Sequence, residues 1–164
     1  MSVSKETILT QLRYTAWASE RLVHAAAQLS PDELQRDFGT SEKSVLGTLV
    51  HVFAADRIWM GRVNGNLPAV FVDPEKDMHL ETLRNEWPPI HQSWQKWADG
   101  MTDFSATMKY KDLKGNPQES LYWQVVFHVI NHGTHHRGQA SGMLRALGIV
   151  PPPIDMSYYY RELK

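Results

Sequence analysis

The sequence predicts an all-α protein: a four-helix bundle with a short β-hairpin before the fourth helix, in a single domain over residues 1–164. Three observations predict it. Four stretches repeat apolar side chains at spacings of three and four, the period of a helix that buries one face. The breaks between them fall at proline, glycine and asparagine, the residues that stop helices. One short segment alternates in character as a strand does.

The first helix is predicted from about Ser4 to Gln28. Ile8, Leu12, Thr15, Ser19, Leu22 and Ala26 fall near one face, Trp17 lies beside it, and no proline or glycine interrupts the run. It must stop before Pro31, because the residue ahead of a proline is driven out of helical geometry; Leu29 to Leu34 reads as a turn. Past a loop at Phe38-Gly39, the side-chain oxygens of Thr40, Ser41 and Ser44 are each able to cap a second helix. That helix runs to about Val63, presents Val45, Leu49, Val52, Phe53, Trp59 and Met60, and ends at Asn64-Gly65-Asn66. Leu67 to Asp77, with Pro68 and Pro74, reads as an irregular crossover.

In the third helix Leu80, Leu83, Trp87, Ile90, Trp94, Trp97 and Met101 make an apolar seam, and this aromatic stripe is core. Pro88-Pro89 either kinks the helix or starts a new one. His79 and His91 are expected at the surface. Thr107 to Lys111 alternates and Lys114-Gly115-Asn116-Pro117 turns, which predicts the hairpin. The fourth helix is expected from Glu119 or Ser120 to about Leu147, closed by Gly148 and then by Pro151-Pro152-Pro153. Ile154 to Lys164 is expected to be an extended or short helical tail, whose Tyr158-Tyr159-Tyr160 run needs burial against the bundle or a partner.

Composition excludes several classes. With 17 basic and 18 acidic residues the net charge is −1, which gives neither the electrostatic footprint of a nucleic-acid binder nor a polybasic membrane patch. No apolar run reaches the length of a membrane span, and the polar start Met1-Ser2-Val3-Ser4-Lys5-Glu6 is no signal peptide, so a cytoplasmic location is expected. The chain has no cysteine, which leaves histidine and carboxylates for any metal.

Chemistry concentrates in the fourth helix. Four of the eight histidines fall between His128 and His136. A step of four residues advances only about 40° around a helix, so His128, His132 and His136 stack on one face while His135 points elsewhere. Two imidazoles one turn apart can converge on a single ion. The same row also fits a buried or interfacial histidine run satisfied by backbone and water. The glutamate that a zincin protease places after its first histidine is missing, since Gly133, Thr134 and His135 separate the pair. His51 stands in the second helix among the small residues Gly47, Thr48, Ala54 and Ala55. It reads either as a hydrogen-bonded core residue or as the third ligand such a pair requires.

The run Asn131-His132-Gly133-Thr134-His135-His136-Arg137-Gly138-Gln139 resembles the N-H-x-x-H-H-R-G-Q signature of the DinB/YfiT-like, damage-inducible family. Trp17 with Ala18-Ser19-Glu20-Arg21-Leu22 resembles its first-helix W-A-N-x-R-L pattern, with Ser19 in place of the usual Asn. Leu49-Val50-His51-Val52 is similar to its second-helix L-x-H-[IV], Asp56-Arg57-Ile58-Trp59 follows in register, and Pro152-Pro153-Ile154-Asp155 is similar to its P-P-x-D tail. The resemblance implies an up-up-down-down bundle, often a homodimer, with a divalent metal, nickel or zinc, on His51, His132 and His136. His128 is then a residue lining the site. It also implies either a metal-dependent enzyme acting on a small molecule, with thiol S-transfer ahead of hydrolysis, or a non-catalytic metal-binding stress protein. Three imidazoles leave a divalent ion with open positions, as catalytic sites do. No general base is identified. Asp56, Asp155 and Tyr160 are candidates for groups behind the ligands, though each also fits a surface or packing role. Arg137 and Gln139 flank His136 and either orient it or pair with a carboxylate; a capping or structural role fits equally well.

Overall fold

Four long helices carry the computed structural model, which describes residues 3–66 and 71–164. Positions 67–70 of the expected crossover, with Pro68, lie outside them. Among the described residues the order is α1 (Lys5–Ala26), α2 (Pro31–Gln35), α3 (Val45–Val63), α4 (Pro74–Asp77), α5 (Leu80–Gly100), β1 (Thr107–Lys111), β2 (Pro117–Leu121), α6 (Tyr122–Ala146) and α7 (Met156–Glu162). The all-α class and the single hairpin follow the sequence. No helix among the described residues is long and apolar enough to cross a membrane.

Local chemistry explains the boundaries. Ser4 caps α1 by accepting from the Thr7 amide, and Ser44, of the three candidate caps, starts α3 by accepting from Gly47. The turn expected at Leu29–Leu34 tightens into the one-turn helix α2: Ser30 and Glu33 form a reciprocal capping box and Pro31 supplies a helical φ at the first position. The fourth long helix starts later than expected, at Tyr122, because Glu119 and Ser120 pair with Lys109 and Met108 in the antiparallel hairpin. Helix α5 runs through Pro88-Pro89 without a break. Both prolines, with Arg84 and Asn85 whose carbonyls they leave without amide donors, are exposed, so water can serve those carbonyls. The tail forms α7, and of its tyrosines Tyr159 is buried against Tyr14 and Trp17.

Two apolar clusters fill the ends of the bundle and fix the helix directions. One joins Leu22 and Ala26 of α1, Val45 and Leu49 of α3, Leu83 of α5 and Met143 and Leu144 of α6. The other joins Ile8 of α1, Met60 of α3, Trp94 and Ala98 of α5 and Val125, Val126, Val129 and Ile130 of α6. Helices α1 and α6 therefore run from the second cluster to the first, and α3 and α5 run the opposite way. The bundle is up-down-down-up, which corrects the up-up-down-down order expected from the resemblance. The reason lies in the connections. The segment between α1 and α3 turns the chain back on itself, whereas from Phe71 to Asp77 the chain lies alongside α3, with Arg57 donating to the Phe71 carbonyl and to Asp77. That course makes α5 parallel to α3. Burial of each large side chain in these clusters contributes about 1.5–3 kcal/mol, and the stretch between the clusters is where α3 and α6 face each other with polar groups.

Candidate metal centre

Because α3 and α6 are antiparallel and packed together, the middle of α3 meets the middle of α6. His132 and His136, one turn apart, project toward α3, and His51 projects toward them. Ring centres stand 4.9 Å apart for His51 and His132, and 4.5 Å for His51–His136 and His132–His136. One nitrogen from each lies within 4.8 Å of the other two, close enough for a shared ion. The Nε2 atoms of His51 and His132 are 2.9 Å apart. His128 is exposed at the end of the row with its ring against Trp59, and His135 is exposed.

The outward nitrogens show what the site is built for. His136 Nδ1 donates to Gln139 Oε1 at 2.7 Å, which leaves Nε2 with the lone pair a cation needs. His51 Nδ1 faces Glu42 Oε2 at 3.5 Å, and Phe71 packs edge-on against the same ring. His132 Nδ1 is buried with no hydrogen-bond partner among the described residues. Three imidazoles with inward-facing nitrogens, two of them backed by outer acceptors, fit a divalent cation. Electrostatics agree. Burial first, then the neighbouring imidazoles of His136, His51 and His128, push His132 down to about 4. Burial also lowers His51, assisted by His136 and opposed by Glu42. Neutral imidazole is the ligating form.

The loop before α3 is shaped around this cluster. The small neighbour Gly47, expected to leave room beside His51, gives that room to the loop: a Cβ at position 47 would collide with the Glu42 carbonyl. Lys43 adopts φ +62°, a left-handed conformation that costs a non-glycine residue about 1 kcal/mol or more. Together these hold Glu42 beside His51, at the edge of a cleft of about 280 Å³ lined by Ser41, Lys43, Val50, Val72 and Met78 as well. Glu42 is a site residue that sequence reasoning missed. It sits in an irregular loop, and no periodicity points from there to a helix face.

The remaining candidates separate. Asp56 is 1% exposed and accepts from Trp87 Nε1 at 2.8 Å, while its Oδ1 is buried without a partner. Its charge opposes the downward shift of His132, so it acts on the cluster from behind α3. His91 was expected at the surface and is buried instead, stacked on Trp87 with Nε2 3.3 Å from Asp56 Oδ2. That nitrogen makes no hydrogen bond among the described residues, so the contact with the carboxylate is one of proximity only. Arg137 is fully buried and meets no carboxylate within ion-pair distance among the described residues. It donates to Ser19 Oγ at 3.3 Å and Thr134 Oγ1 at 3.2 Å and lies over Tyr14, a role in the helix packing. Asp155 is exposed at the start of α7 and Tyr160 accepts from Gln11; neither joins the histidines.

A family model described as "DinB family" matches residues 1–162. The chain is 19% identical over 153 residues to Protein DinB of Bacillus subtilis (strain 168), covering 89% of each chain. It is 26% identical over 144 residues to the uncharacterized protein YizA of the same organism, covering 84% of each.

Proposed function

This chain belongs to the DinB family, and we propose that its histidine cluster holds a divalent cation, nickel or zinc, in a metal-dependent enzyme acting on a small molecule, with thiol S-transfer ahead of hydrolysis. The observation that carries this reading is the convergence of His51, His132 and His136, with Gln139 and Glu42 on the outward nitrogens of two of them. Such a cation supplies Lewis acidity that makes a thiol or a water molecule a better nucleophile at neutral pH.

The chain's own groups do the rest. His136 is fixed in one tautomer by Gln139, and His51 is steadied between Glu42 and Phe71. Partial burial favours the neutral form of His51 and His132 and limits water around the reacting group. The cleft beside His51 gives a small substrate access from the Glu42 side, and Glu42 is placed to hold a proton released there. A second reading, a non-catalytic metal-binding stress protein, draws support from one observation. The cluster ties α3 to α6, elements far apart in the chain, so an ion there would brace the bundle.

Elemental analysis of purified protein, followed by a thiol-conjugation assay on the same preparation with an electrophilic acceptor and several low-molecular-weight thiols, separates the readings. Metal-dependent turnover abolished by His132→Ala supports the enzyme. Bound metal with no turnover of any thiol or ester substrate favours the second reading, and absence of metal overturns both.

A further inference from the structure

A second cleft, of about 340 Å³, lies between the C-terminal end of α3 and the β-hairpin, lined by Arg62, Gly65, Lys109, Tyr110, Lys111 and Pro117. Arg62 is 8% exposed. Its guanidinium carbon lies 4.4 Å from the centre of the Trp59 ring and 5.3 Å from that of Tyr110, so aromatic rings hold it in place. It makes no ion pair among the described residues, and its Nε is buried with no hydrogen-bond partner there. Contacts with aromatic faces return less than removing a charge from water costs. A purely structural role is therefore better filled by an apolar side chain. A desolvated, clamped guanidinium that faces a cleft is the arrangement that anion receptors use.

Of the acids nearby, Asp112 acts on Arg62 through its field but makes no contact with it, being held in the hairpin turn. Asp112 accepts from the Lys114 and Asn116 amides and from Asn116 Nδ2, which closes the hairpin turn. Glu119 is the cross-strand partner of Lys109 in register but forms no ion pair with it. Two further cations, Lys109 and Lys111, share the cleft with Arg62. We propose that this cleft binds the oxyanionic group of a small molecule, a carboxylate or a phosphate, seated on Arg62 and flanked by Lys109 and Lys111. Trp59, which clamps Arg62, also packs against His128 at 5.1 Å, so the cleft lies beyond the open end of the histidine row. The inference does not depend on what the histidines hold.

Calorimetric titration of the purified protein with inorganic phosphate, and separately with succinate, at ionic strength held constant with chloride, tests it. Saturable binding is expected, and whichever anion binds more tightly identifies the group. Arg62→Met should weaken binding at least tenfold. Because Arg62 packs on Trp59, that variant risks misfolding. The double variant Lys109→Glu/Lys111→Glu, at exposed strand positions, should weaken binding at least threefold with an unchanged circular dichroism spectrum. His51→Ala should leave anion binding intact. No saturation by either anion up to about 20 mM would overturn the site. So would wild-type affinity in the double lysine variant, or binding lost in His51→Ala and kept in Arg62→Met.

Discussion

Gly133 lies under the guanidinium of Arg137: a Cβ at position 133 would stand 2.6 Å from Nη1 of that arginine, closer than side chains approach. Arg137 has no room to yield, since it is fully buried and held by Ser19 and Thr134. Alanine is the better helix former by about 1 kcal/mol, yet forcing a methyl group into a packed core costs about 1–3 kcal/mol. Gly133→Ala should therefore lower the melting temperature by a few degrees, against the helix-propensity trend. A rise in melting temperature would show that Arg137 moves aside at little cost.

This pair explains what was legible in the sequence and what was not. Helix periodicity placed His132 and His136 on one face, and Ile8 to Ala26 on another, because a 3.6-residue repeat turns spacing into direction. It carries no information on how a helix is oriented against a non-adjacent one, so the up-down-down-up order had to come from packing. Gly133 read only as a residue between two histidines, although its small size is what seats Arg137. Ser19, at the position where the family pattern has Asn, receives that arginine. His91 looked polar and exposed because no one-dimensional pattern shows that Asp56, a long way off in sequence, lies beside it. Asp56 reads in the sequence either as a group behind the ligands or as a surface or packing residue; burial puts it in the core, with its field reaching His132.

Removing a ligand tests the cluster directly. Purified protein is expected to hold about one divalent ion per chain, and His51→Ala, His132→Ala and His136→Ala should each abolish tight binding, because two imidazoles are too few. His135→Ala and His128→Ala should keep most of the metal, since neither belongs to the converging set. Gln139→Ala should fall between, with affinity about tenfold weaker, as expected when an outer acceptor is lost. Elemental analysis and competition with a metallochromic chelator report all six, and full retention by His51→Ala would remove the third ligand.

Asp56→Ala should be far more damaging than its distance from solvent-accessible chemistry suggests. It strips the acceptor from the Trp87 indole and the carboxylate from beside His91, both buried. Leaving the buried Trp87 donor unpaired costs about 1–3 kcal/mol, and His91 Nε2, which has no hydrogen-bond partner among the described residues to begin with, loses only the nearby charge. Denaturant unfolding of the metal-free protein should show a loss of about 3 kcal/mol, with Asp56→Asn losing less. A change under 1 kcal/mol in the alanine variant would mean that water replaces the carboxylate.

Association should follow from the apolar surface left uncovered. Phe127, Val150, Tyr158 and Leu163 are all exposed in the chain, and among oligomers the twofold homodimer is the commonest form. Sedimentation equilibrium at micromolar concentration is expected to give twice the chain mass of 18.8 kDa. A monomer mass would reject the dimer.

Metal, pH and stability should be linked through the same imidazoles. Folding holds His132 at about 4, below the ~6.5 of a free imidazole, and shifts His51 in the same direction. Between those values the unfolded chain binds a proton that the folded chain refuses. The contribution is therefore complete above pH ~6.5 and is lost as pH falls toward 4. A cation that binds only the folded site adds RT ln(1 + [L]/Kd), on the order of 3 kcal/mol at a hundredfold excess over Kd, and protons compete for the same nitrogens. Chelator should lower the melting temperature at pH 7.5, lower it less at pH 5, and have no effect near pH 4. The metal-free protein should stay helical throughout the higher range, because the two apolar clusters at the ends of the bundle are complete without the ion. Thermal melts with and without chelator at the three pH values decide it. Equal melting temperatures at pH 7.5 would break the link between metal and fold, and complete unfolding on chelation would make the ion a structural element, not an addition to a bundle that stands on its own core.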